Sequence, residues 1–244
     1  LCADASGIVT NTFLDGSTGL SRGGAKVYRG INVAAFSEFV VCSASAAVKV
    51  PRDVPLEVAC VIGCAVQTGV GAVLNTARVV EGATVLVMGL GGIGLSAVQG
   101  ARLAGASRIF ASDPLEARRK VAESFGATDL LDPNAGDVAQ QVREATGGIG
   151  ADYAFETAGH ASLVGVGLAA TRNGGTVVAV GAPPIDQKIE IAPAALFTVT
   201  EKKLLGCILG SSNSLREIPR LVALWRAGRL DLEGLITARR PLGQ

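Results

Sequence analysis

Residues 83–113 read ATVLVMGLGGIGLSAVQGARLAGASRIFASD, and this stretch decides the fold that the sequence predicts. It opens with an apolar run at residues 85–88, of the kind that fills a strand buried on both faces. A glycine-rich turn follows at residues 89–94, and residues 95–104 have a helical period. A second apolar strand then leads to Asp113, which lies about 20 residues after the turn. This order predicts one parallel βαβ unit.

The glycine turn has the residue pattern that suits a dinucleotide. Gly89 would allow a sharp turn, Gly91 would let the backbone approach a pyrophosphate, and Gly94 would let the helix pack closely on the strand. The start of the helix would offer free N–H groups and a positive dipole end to the phosphates. A carboxylate at Asp113 would accept hydrogen bonds from the ribose of NAD and repel the 2′-phosphate of NADP. The alternative is a parallel-sheet unit whose glycines serve packing only.

The composition restricts the class of protein. A chain of 244 residues allows one large domain or two modest ones. A formal net charge of +1 gives no argument for a nucleic acid or an anionic membrane as a partner. Mean hydropathy is high, at +0.42, but Gly, Gln, Thr or Arg interrupt the apolar runs before the roughly 18–20 residues that a spanning helix needs. Buried parallel strands explain this hydropathy, and no membrane is expected.

The cysteines and the first residues add two expectations. Five cysteines at irregular spacing indicate reduced thiols or metal ligands instead of a disulfide framework, and the expected location is the cytoplasm. The chain starts at Leu1 with neither Met nor a signal segment. We therefore expect a fragment that begins within a domain and is also truncated after Gln244.

Strands and helices alternate after Asp113, which predicts an α/β fold with a right-handed, doubly wound parallel sheet. The predicted helices cover residues 115–125, 137–146 and 161–170, and the predicted strands cover residues 128–131, 152–156 and 175–180. Ligands bind such sheets at the carboxyl ends of the strands. Those ends carry the glycine turn, Asp113, residues 157–158 and residues 181–182. We expect these four turns to meet at one crevice.

The flanking segments are less regular. Residues 1–29 are loop-like, residues 35–41 are predicted as a strand, and residues 56–60 and 61–79 have helical patterns. In the tail, strands are predicted at residues 189–191 and 204–209, and an amphipathic helix at residues 215–227 despite Pro219.

Cys60 and Cys64 lie four residues apart and would share one helix face. On spacing alone, small buried core residues are the favoured interpretation, because free cysteine is among the most buried residue types. The two thiols do not make a metal site by themselves, since zinc takes three or four protein ligands. Cys42 and Cys207 are expected to be structural, and the lone His160 to be a surface or helix-start residue.

Five segments together resemble the zinc-type medium-chain alcohol dehydrogenases, the group related to the class I and class III enzymes. They are CVIGCAVQTG (60–69), VMGLGGIG (87–94), FETAG (155–159), VGAPP (180–184) and LIT (235–237). The resemblance runs nearly end to end. It implies a Rossmann-type domain at residues 66–207, with parts of a GroES-like, β-rich catalytic domain at residues 1–65 and 208–244.

The resemblance also implies site residues. Cys64 matches a ligand of the catalytic zinc, which reverses the interpretation from spacing, and Cys2 matches a ligand of a structural zinc. Thr68 and Ile93 match positions beside the nicotinamide, Asp113 the adenosine ribose acid, and Arg118 the basic residue next to it. The remaining positions that match cofactor contacts are Gly89, Gly91, Gly92, Gly94, Thr157, Ala158, Val180, Gly181, Ala182, Cys207, Ile208 and Leu209. The family's other zinc ligands would precede Leu1.

The implied activity is reversible hydride transfer between a primary alcohol or aldehyde and NAD. Zinc would act as a Lewis acid on the bound alcohol, and the nicotinamide would carry the redox chemistry. Arg118 and Arg119 favour NADP, but the carboxylate of Asp113 favours NAD more strongly. The resemblance further implies a homodimer or higher oligomer, formed near residues 189–191 and 194–200.

Two other functions stay open on the sequence. One is a formaldehyde-clearing dehydrogenase that acts on an S-(hydroxymethyl)thiol, although the anion-binding residues it needs are not identified. The other is a dinucleotide-binding module without catalytic activity.

Overall fold

The computed structural model describes residues 10–13, 15–191 and 193–243. Contacts divide the described chain into two units. The smaller unit contains the residues up to Lys49 together with those from Ala238, and the larger unit is Val50–Thr237. The domain boundaries predicted near residues 65 and 207 stay a prediction.

The larger unit is built on a six-stranded parallel sheet with the order β5-β4-β3-β6-β7-β8. Its strands are β3 (Thr84–Met88), β4 (Arg108–Ser112), β5 (Asp129–Leu131), β6 (Ala151–Glu156), β7 (Thr171–Ala179) and β8 (Lys203–Gly206). Every neighbouring pair is parallel. The predicted α/β fold with a doubly wound parallel sheet is therefore confirmed.

Helices cover both faces of this sheet. They are α1 (Leu56–Val61), α2 (Gln67–Gly71), α3 (Gly92–Leu103), α4 (Glu116–Ser124), α5 (Val138–Ala145), α6 (Ala161–Ala170), α7 (Ala194–Val199) and α8 (Ser214–Arg226). Strand β3 shows why its sequence is apolar throughout. Val85 and Val87 belong to one hydrophobic core, which includes residues of α3, whereas Leu86 and Met88 belong to a second core with residues of α5 and α6.

One long helix lies beside the sheet. Leu56–Ala77 joins α1 and α2 through wider, π-type turns at Ile62–Val66 and ends in similar turns at Ala72–Ala77. Among the described residues it is the one helix long and apolar enough to cross a membrane, with 22 residues and a mean hydropathy of 1.7 over an 18-residue window. The expectation that every apolar run stops short of spanning length was therefore wrong here. The helix packs against α8 in a third hydrophobic core, which accounts for its apolar character.

Three predicted strands differ from the structure. Residues 35–41 form no strand, and Phe36 and Phe39 are almost fully exposed, at 98% and 87%. Residues 189–191 form no strand either, and the sheet ends at β8 on that side. Strand β7 begins at Thr171, four residues earlier than residue 175, and its register with β6 shifts near Tyr153.

The smaller unit contains a short hairpin of β1 (Ser21–Arg22) and β2 (Ala25–Lys26). The buried side chain of Arg29 organises the surrounding loops. Its guanidinium donates to the carbonyl oxygens of Thr18, at 3.2 Å, and Val33, at 3.1 Å. It also stacks 4.0 Å from the ring centroid of Phe13.

Candidate dinucleotide site

The turn between β3 and α3 depends on three glycines with different surroundings. Gly89 has φ +90°, and a Cβ there would lie 2.6 Å from the Cβ of Ala158. A Cβ on Gly94 would lie 1.8 Å from the carbonyl oxygen of Gly89, so the helix can approach the strand only without one. Gly91 differs, since nothing lies within 4 Å of its Cβ position. The turn is therefore tightly packed at both ends and open at Gly91.

Helix α3 begins directly above this open position. Gly91 is its N-cap residue and has extended backbone angles. No side chain among the described residues caps the first turn of α3. The N–H groups of that turn and the positive end of the helix dipole are available to an anionic ligand. This geometry suits a phosphate group next to Gly91.

The carboxylate of Asp113 is 2% exposed and holds two turns together. Its Oδ2 accepts a hydrogen bond from the N–H of Leu90 at 2.8 Å, and its Oδ1 accepts one from the N–H of Leu115 at 2.9 Å. Asp113 thus links the end of β4 to the glycine turn. A carboxylate oxygen can accept more than one hydrogen bond, so these contacts leave acceptor capacity for a ribose hydroxyl.

Two arginines surround Asp113. The guanidinium of Arg118 lies 3.4 Å from Asp113 Oδ2, and its side chain is about half exposed. Arg119 donates to the carbonyl oxygen of Asp113 at 2.6 Å and pairs with Asp132 at 3.0 Å. Arg119 is therefore engaged with protein groups, whereas the more exposed Arg118 has donors to offer a ligand.

Glu156 is a buried carboxylate that the sequence analysis did not select. It is the last residue of β6, and its Oε1 accepts hydrogen bonds from the N–H groups of Ala158, at 2.8 Å, and Gly159, at 2.7 Å. Thr157 ties the same turn to β3, because its hydroxyl donates to the carbonyl oxygen of Gly89 at 2.6 Å. Glu156 and Thr157 together fix the turn after β6 against the glycine turn. A charged residue that ends an apolar strand was the signal in the sequence.

The turns after β7 and β8 complete this edge of the sheet. A Cβ on Gly181 would lie 2.2 Å from the backbone nitrogen of Gly159. The N–H of Cys207 donates to the carbonyl oxygen of Ala179 at 3.0 Å, which continues the pairing of β7 and β8. Val180 is buried, whereas Ala182, Ile208 and Leu209 are exposed.

A cleft of about 800 Å³ opens between the turns that follow β3, β4 and β6. Gly89, Gly91, Asp113, Arg118, Thr157 and Ala158 line it, so three of the four predicted turns share this cleft, whereas residues 181 and 182 are not part of its lining. Its walls also include Leu115, Pro133, His160 and Leu163, which the sequence analysis did not assign to the cofactor. The apolar side chains among them would suit a flat heteroaromatic base.

The long helix brings further predicted residues to the same edge. A Cβ on Gly69 would lie 2.2 Å from the carbonyl oxygen of Ile93, so the buried Thr68 adjoins the start of α3. A Cβ on Gly92 would lie 3.2 Å from that of Ala65, the neighbour of Cys64. The long helix thus contacts the start of α3 at Ile93, and Cys64 and Thr68 are the chain neighbours of residues that make this contact.

Both cysteines of this helix are exposed. The interpretation of Cys60 and Cys64 as buried core residues is therefore wrong, and Cys64 is accessible to a ligand. Among the described residues, however, no group of three His, Cys, Asp or Glu side chains could hold a metal ion. Cys64 alone does not form a zinc site. Cys2, the predicted structural zinc ligand, lies outside the described residues.

Fold and site together define a Rossmann-type α/β protein. Residues 92–224 match the family described as zinc-binding dehydrogenase. The chain is 35% identical over 249 aligned residues to alcohol dehydrogenase B of Mycobacterium tuberculosis (strain ATCC 25618 / H37Rv), with 100% of this chain and 66% of that protein covered. This chain belongs to the zinc-binding dehydrogenase family, which confirms the resemblance found in the sequence.

Two solved structures are also similar. The alcohol dehydrogenase zinc-binding domain protein from Burkholderia ambifaria has a TM-score of 0.89 and 34% identity, covering 96% of this chain and 63% of that one. A zinc-binding dehydrogenase from Sinorhizobium meliloti 1021, bound to NADP, has a TM-score of 0.66 and 30% identity, covering 72% and 50%. The chain thus spans less than two thirds of these proteins.

Proposed function

We propose that this chain supplies the cofactor-binding part of an NAD-dependent, zinc-type alcohol dehydrogenase. The reaction would be reversible hydride transfer between a primary alcohol or aldehyde and the nicotinamide. One observation carries the proposal: Asp113, the open glycine turn and the turn after β6 line a single cleft at the carboxyl edge of the sheet. The name of the Mycobacterium relative, an alcohol dehydrogenase, supports the substrate class.

The described residues fit a dinucleotide for two reasons. The space over Gly91 is open, and no side chain of the described residues caps the first N–H groups of α3. Those N–H groups would bind the pyrophosphate, and Asp113 would accept hydrogen bonds from the adenosine ribose. Thr68 and Ile93 would lie beside the nicotinamide, together with the backbone of residues 180–182 and 207–209. The nicotinamide supplies the hydride chemistry when it is bound.

The described residues do not supply all the ligands that the proposed zinc site needs. Cys64 offers one exposed thiol, and the described part of the chain gathers no other His, Cys, Asp or Glu pair around it. We propose Cys64 as one ligand of the catalytic zinc. At least two more protein ligands would have to come from outside the described residues.

NAD is proposed over NADP because a carboxylate at Asp113 opposes a second phosphate at the ribose. NADP remains the second candidate, favoured by the exposed guanidinium of Arg118 beside Asp113 and by the NADP-bound relative. Titration of the chain with NADH and NADPH by calorimetry separates them. NADH should bind at least tenfold more tightly, and Asp113→Asn, which removes the charge, should reduce that ratio toward one.

Arg118→Met is the matched control, since it should weaken NADPH binding more than NADH binding. A wild-type chain that binds neither nucleotide would contradict the proposed function. If wild type and Asp113→Asn had the same ratio of NADH to NADPH affinity, only the role of Asp113 would be contradicted. The proposed function would stand.

We also propose that the chain associates with a second copy at the β8 edge of the sheet. Ile191, Leu196 and Val199 expose apolar surface there, beside an apolar groove of about 280 Å³. Exposed apolar surface next to an edge strand favours burial in an interface. Sedimentation velocity should give a dimer for wild type and a monomer for the double variant Leu196→Lys, Val199→Lys. A monomeric wild type would refute this.

The cytoplasmic location and the absence of nucleic-acid and membrane partners stay predictions.

A further inference from the structure

Glu156 is a buried carboxylate that the proposed cofactor contacts do not include. It is 2% exposed and ends strand β6. One of its oxygens, Oε1, accepts hydrogen bonds from three consecutive N–H groups, those of Ala158 at 2.8 Å, Gly159 at 2.7 Å and His160 at 3.2 Å. Hydrogen bonds to an ionised acceptor are stronger than those to a neutral one. The carboxylate therefore sets the direction of every backbone N–H group between Thr157 and helix α6.

These N–H groups belong to one wall of the cleft at the carboxyl edge of the sheet. Ala158 and His160 line that cleft together with Gly91. His160 is the N-cap residue of α6 and Gly91 is the N-cap residue of α3, so two helices begin at the same cleft. Each helix start is a place where an anion is stabilised. The carboxylate of Glu156 already occupies the N–H groups that precede α6, whereas no side chain of the described residues caps the start of α3.

The turn that Glu156 holds is packed closely on both sides. A Cβ on Gly181 would lie 2.7 Å from Oε2 of Glu156 and 2.2 Å from the backbone nitrogen of Gly159. On the other side, a Cβ on Gly89 would lie 2.6 Å from the Cβ of Ala158. The turn after β6 is therefore in contact with the turns after β7 and β3, and a change in its shape would disturb both of them.

We propose that Glu156 is a positioning residue for the dinucleotide. Its negative charge keeps the N–H groups of residues 158–160 directed at Oε1, which holds Ala158 and His160 in place as a wall of the cleft. The start of α3 is then the helix start that is left for the pyrophosphate. Glu156 acts through these N–H groups and not by contact with the cofactor, since it is buried and the cleft lining does not include it. This inference rests on the proposed function, which places a dinucleotide in this cleft.

Chemical rescue of Glu156→Ala on the full 244-residue chain tests the role of the charge. This substitution removes the carboxylate and leaves space of the size of an acetate ion beside the three N–H groups. The ligand is ADP-ribose, which has the pyrophosphate and adenosine of NAD but no nicotinamide. Calorimetry should show that Glu156→Ala binds ADP-ribose about tenfold more weakly than wild type. Sodium acetate should tighten this binding by about threefold or more, and sodium chloride at the same concentration should not.

Glu156→Gln is the conservative variant, since it keeps the size of the side chain and one acceptor oxygen. It should bind ADP-ribose about three times more weakly than wild type, because a neutral acceptor holds the N–H groups less firmly. Acetate should not change its affinity, because the carboxamide fills the space that acetate would occupy.

Asp152 provides the matched control at the other end of β6. Its Oδ2 accepts a hydrogen bond from the N–H of Thr84 at 2.8 Å, and its Oδ1 pairs with Arg172 at 2.6 Å. Asp152→Ala should lower the melting temperature, because it removes a carboxylate with backbone and side-chain partners. Its affinity for ADP-ribose should stay within about twofold of wild type, with or without acetate.

Three results with folded variants overturn the inference. They are wild-type affinity in Glu156→Ala, a loss of affinity that acetate does not restore, and an equal loss in Asp152→Ala. If Glu156→Ala does not fold, Glu156→Gln decides, and wild-type affinity in that variant overturns the inference. Failure of both variants to fold overturns it too, because the role of Glu156 would then be structural. A wild-type chain that does not bind ADP-ribose overturns the proposed function instead.

Discussion

At the scale of single residues, glycines at the same turn have opposite roles. Gly94 is required by the fold, because a methyl group there would collide with the backbone of Gly89. Gly91 has open space instead, and its φ of −78° is accessible to any residue. The space over Gly91 is therefore not needed for the packing of the protein and is open to a ligand.

Gly91→Ala and Gly94→Ala should separate binding from folding. Gly91→Ala should leave the melting temperature nearly unchanged and weaken NADH binding at least tenfold, since the methyl group occupies the space that suits the pyrophosphate. Gly94→Ala should lower stability by about 2 kcal/mol or more, because α3 must move away from β3. Thermal unfolding and NADH titration of both variants check this. Full NADH affinity in Gly91→Ala would show that the phosphate lies elsewhere.

At the scale of elements, an ion pair joins the first residues of β4 and β5. The guanidinium of Arg108 donates to both carboxylate oxygens of Asp129, at 2.6 and 2.9 Å. The hydrogen bond from Arg108 lowers the pKa of the Asp129 carboxyl below its usual value and outweighs the effect of partial burial. Because β5 has only three residues and lies at the edge of the sheet, this pair is a substantial part of its attachment.

Asp129→Asn should lower the free energy of unfolding by about 1 kcal/mol at neutral pH. A lowered pKa in the folded state means that the charged carboxylate stabilises the fold above its unfolded pKa of about 4. That contribution is lost as the pH falls through the folded pKa, so the difference from wild type should shrink below about pH 4. Urea unfolding of both proteins from about pH 3 to about pH 7 measures this difference in the free energy of unfolding.

Glu116→Gln is the control for this experiment. Glu116 pairs with Lys120 one helical turn away, and both side chains are mostly exposed. Its removal should leave the urea midpoint nearly unchanged, because solvent screens an exposed ion pair. A difference for Asp129→Asn that grows on acidification would contradict the ion pair as its cause.

Predictions from sequence succeeded where the signal is local in the chain. The unit from β3 to Asp113 is contiguous, so its glycines, its apolar strand and its acid could be predicted together. Glu156 was missed because its role depends on which backbone groups surround a buried side chain. Residues 189–191 were wrongly predicted as a strand because an apolar pattern does not show whether a segment has a pairing partner, and these residues have none among the described strands.

At the scale of the whole molecule, the larger unit has two distinct edges. The carboxyl edge of its sheet carries the cleft with Asp113 and the glycine turn. The amino edge carries Arg108 and Arg172, each paired with an aspartate. Charge at the amino edge is thus compensated within the protein, whereas the carboxyl edge offers unfilled space and N–H groups for an anion.

Dinucleotide binding should therefore stabilise mainly the turns at the carboxyl edge of the sheet. At a ligand concentration of about 100 times Kd the gain should be about 2.7 kcal/mol. Hydrogen exchange with and without ADP-ribose should show the greatest added protection after Met88, Ser112 and Glu156 and little at Thr84 and Arg108. Equal added protection at both ends of the strands would contradict a cleft at the carboxyl edge.

The hydrogen bonds of Asp113 have a consequence for protein engineering. A common strategy for changing nicotinamide cofactor preference replaces the acid after the second strand with a small or neutral residue. In this chain the same carboxylate accepts hydrogen bonds from the N–H groups of Leu90 and Leu115 and so holds the glycine turn in place. A redesign that removes the acid must supply another acceptor for those two N–H groups, or the gain in selectivity will come with a loosened loop. Under the proposed role of Asp113, cofactor preference and the order of this turn depend on one side chain and would have to be redesigned together.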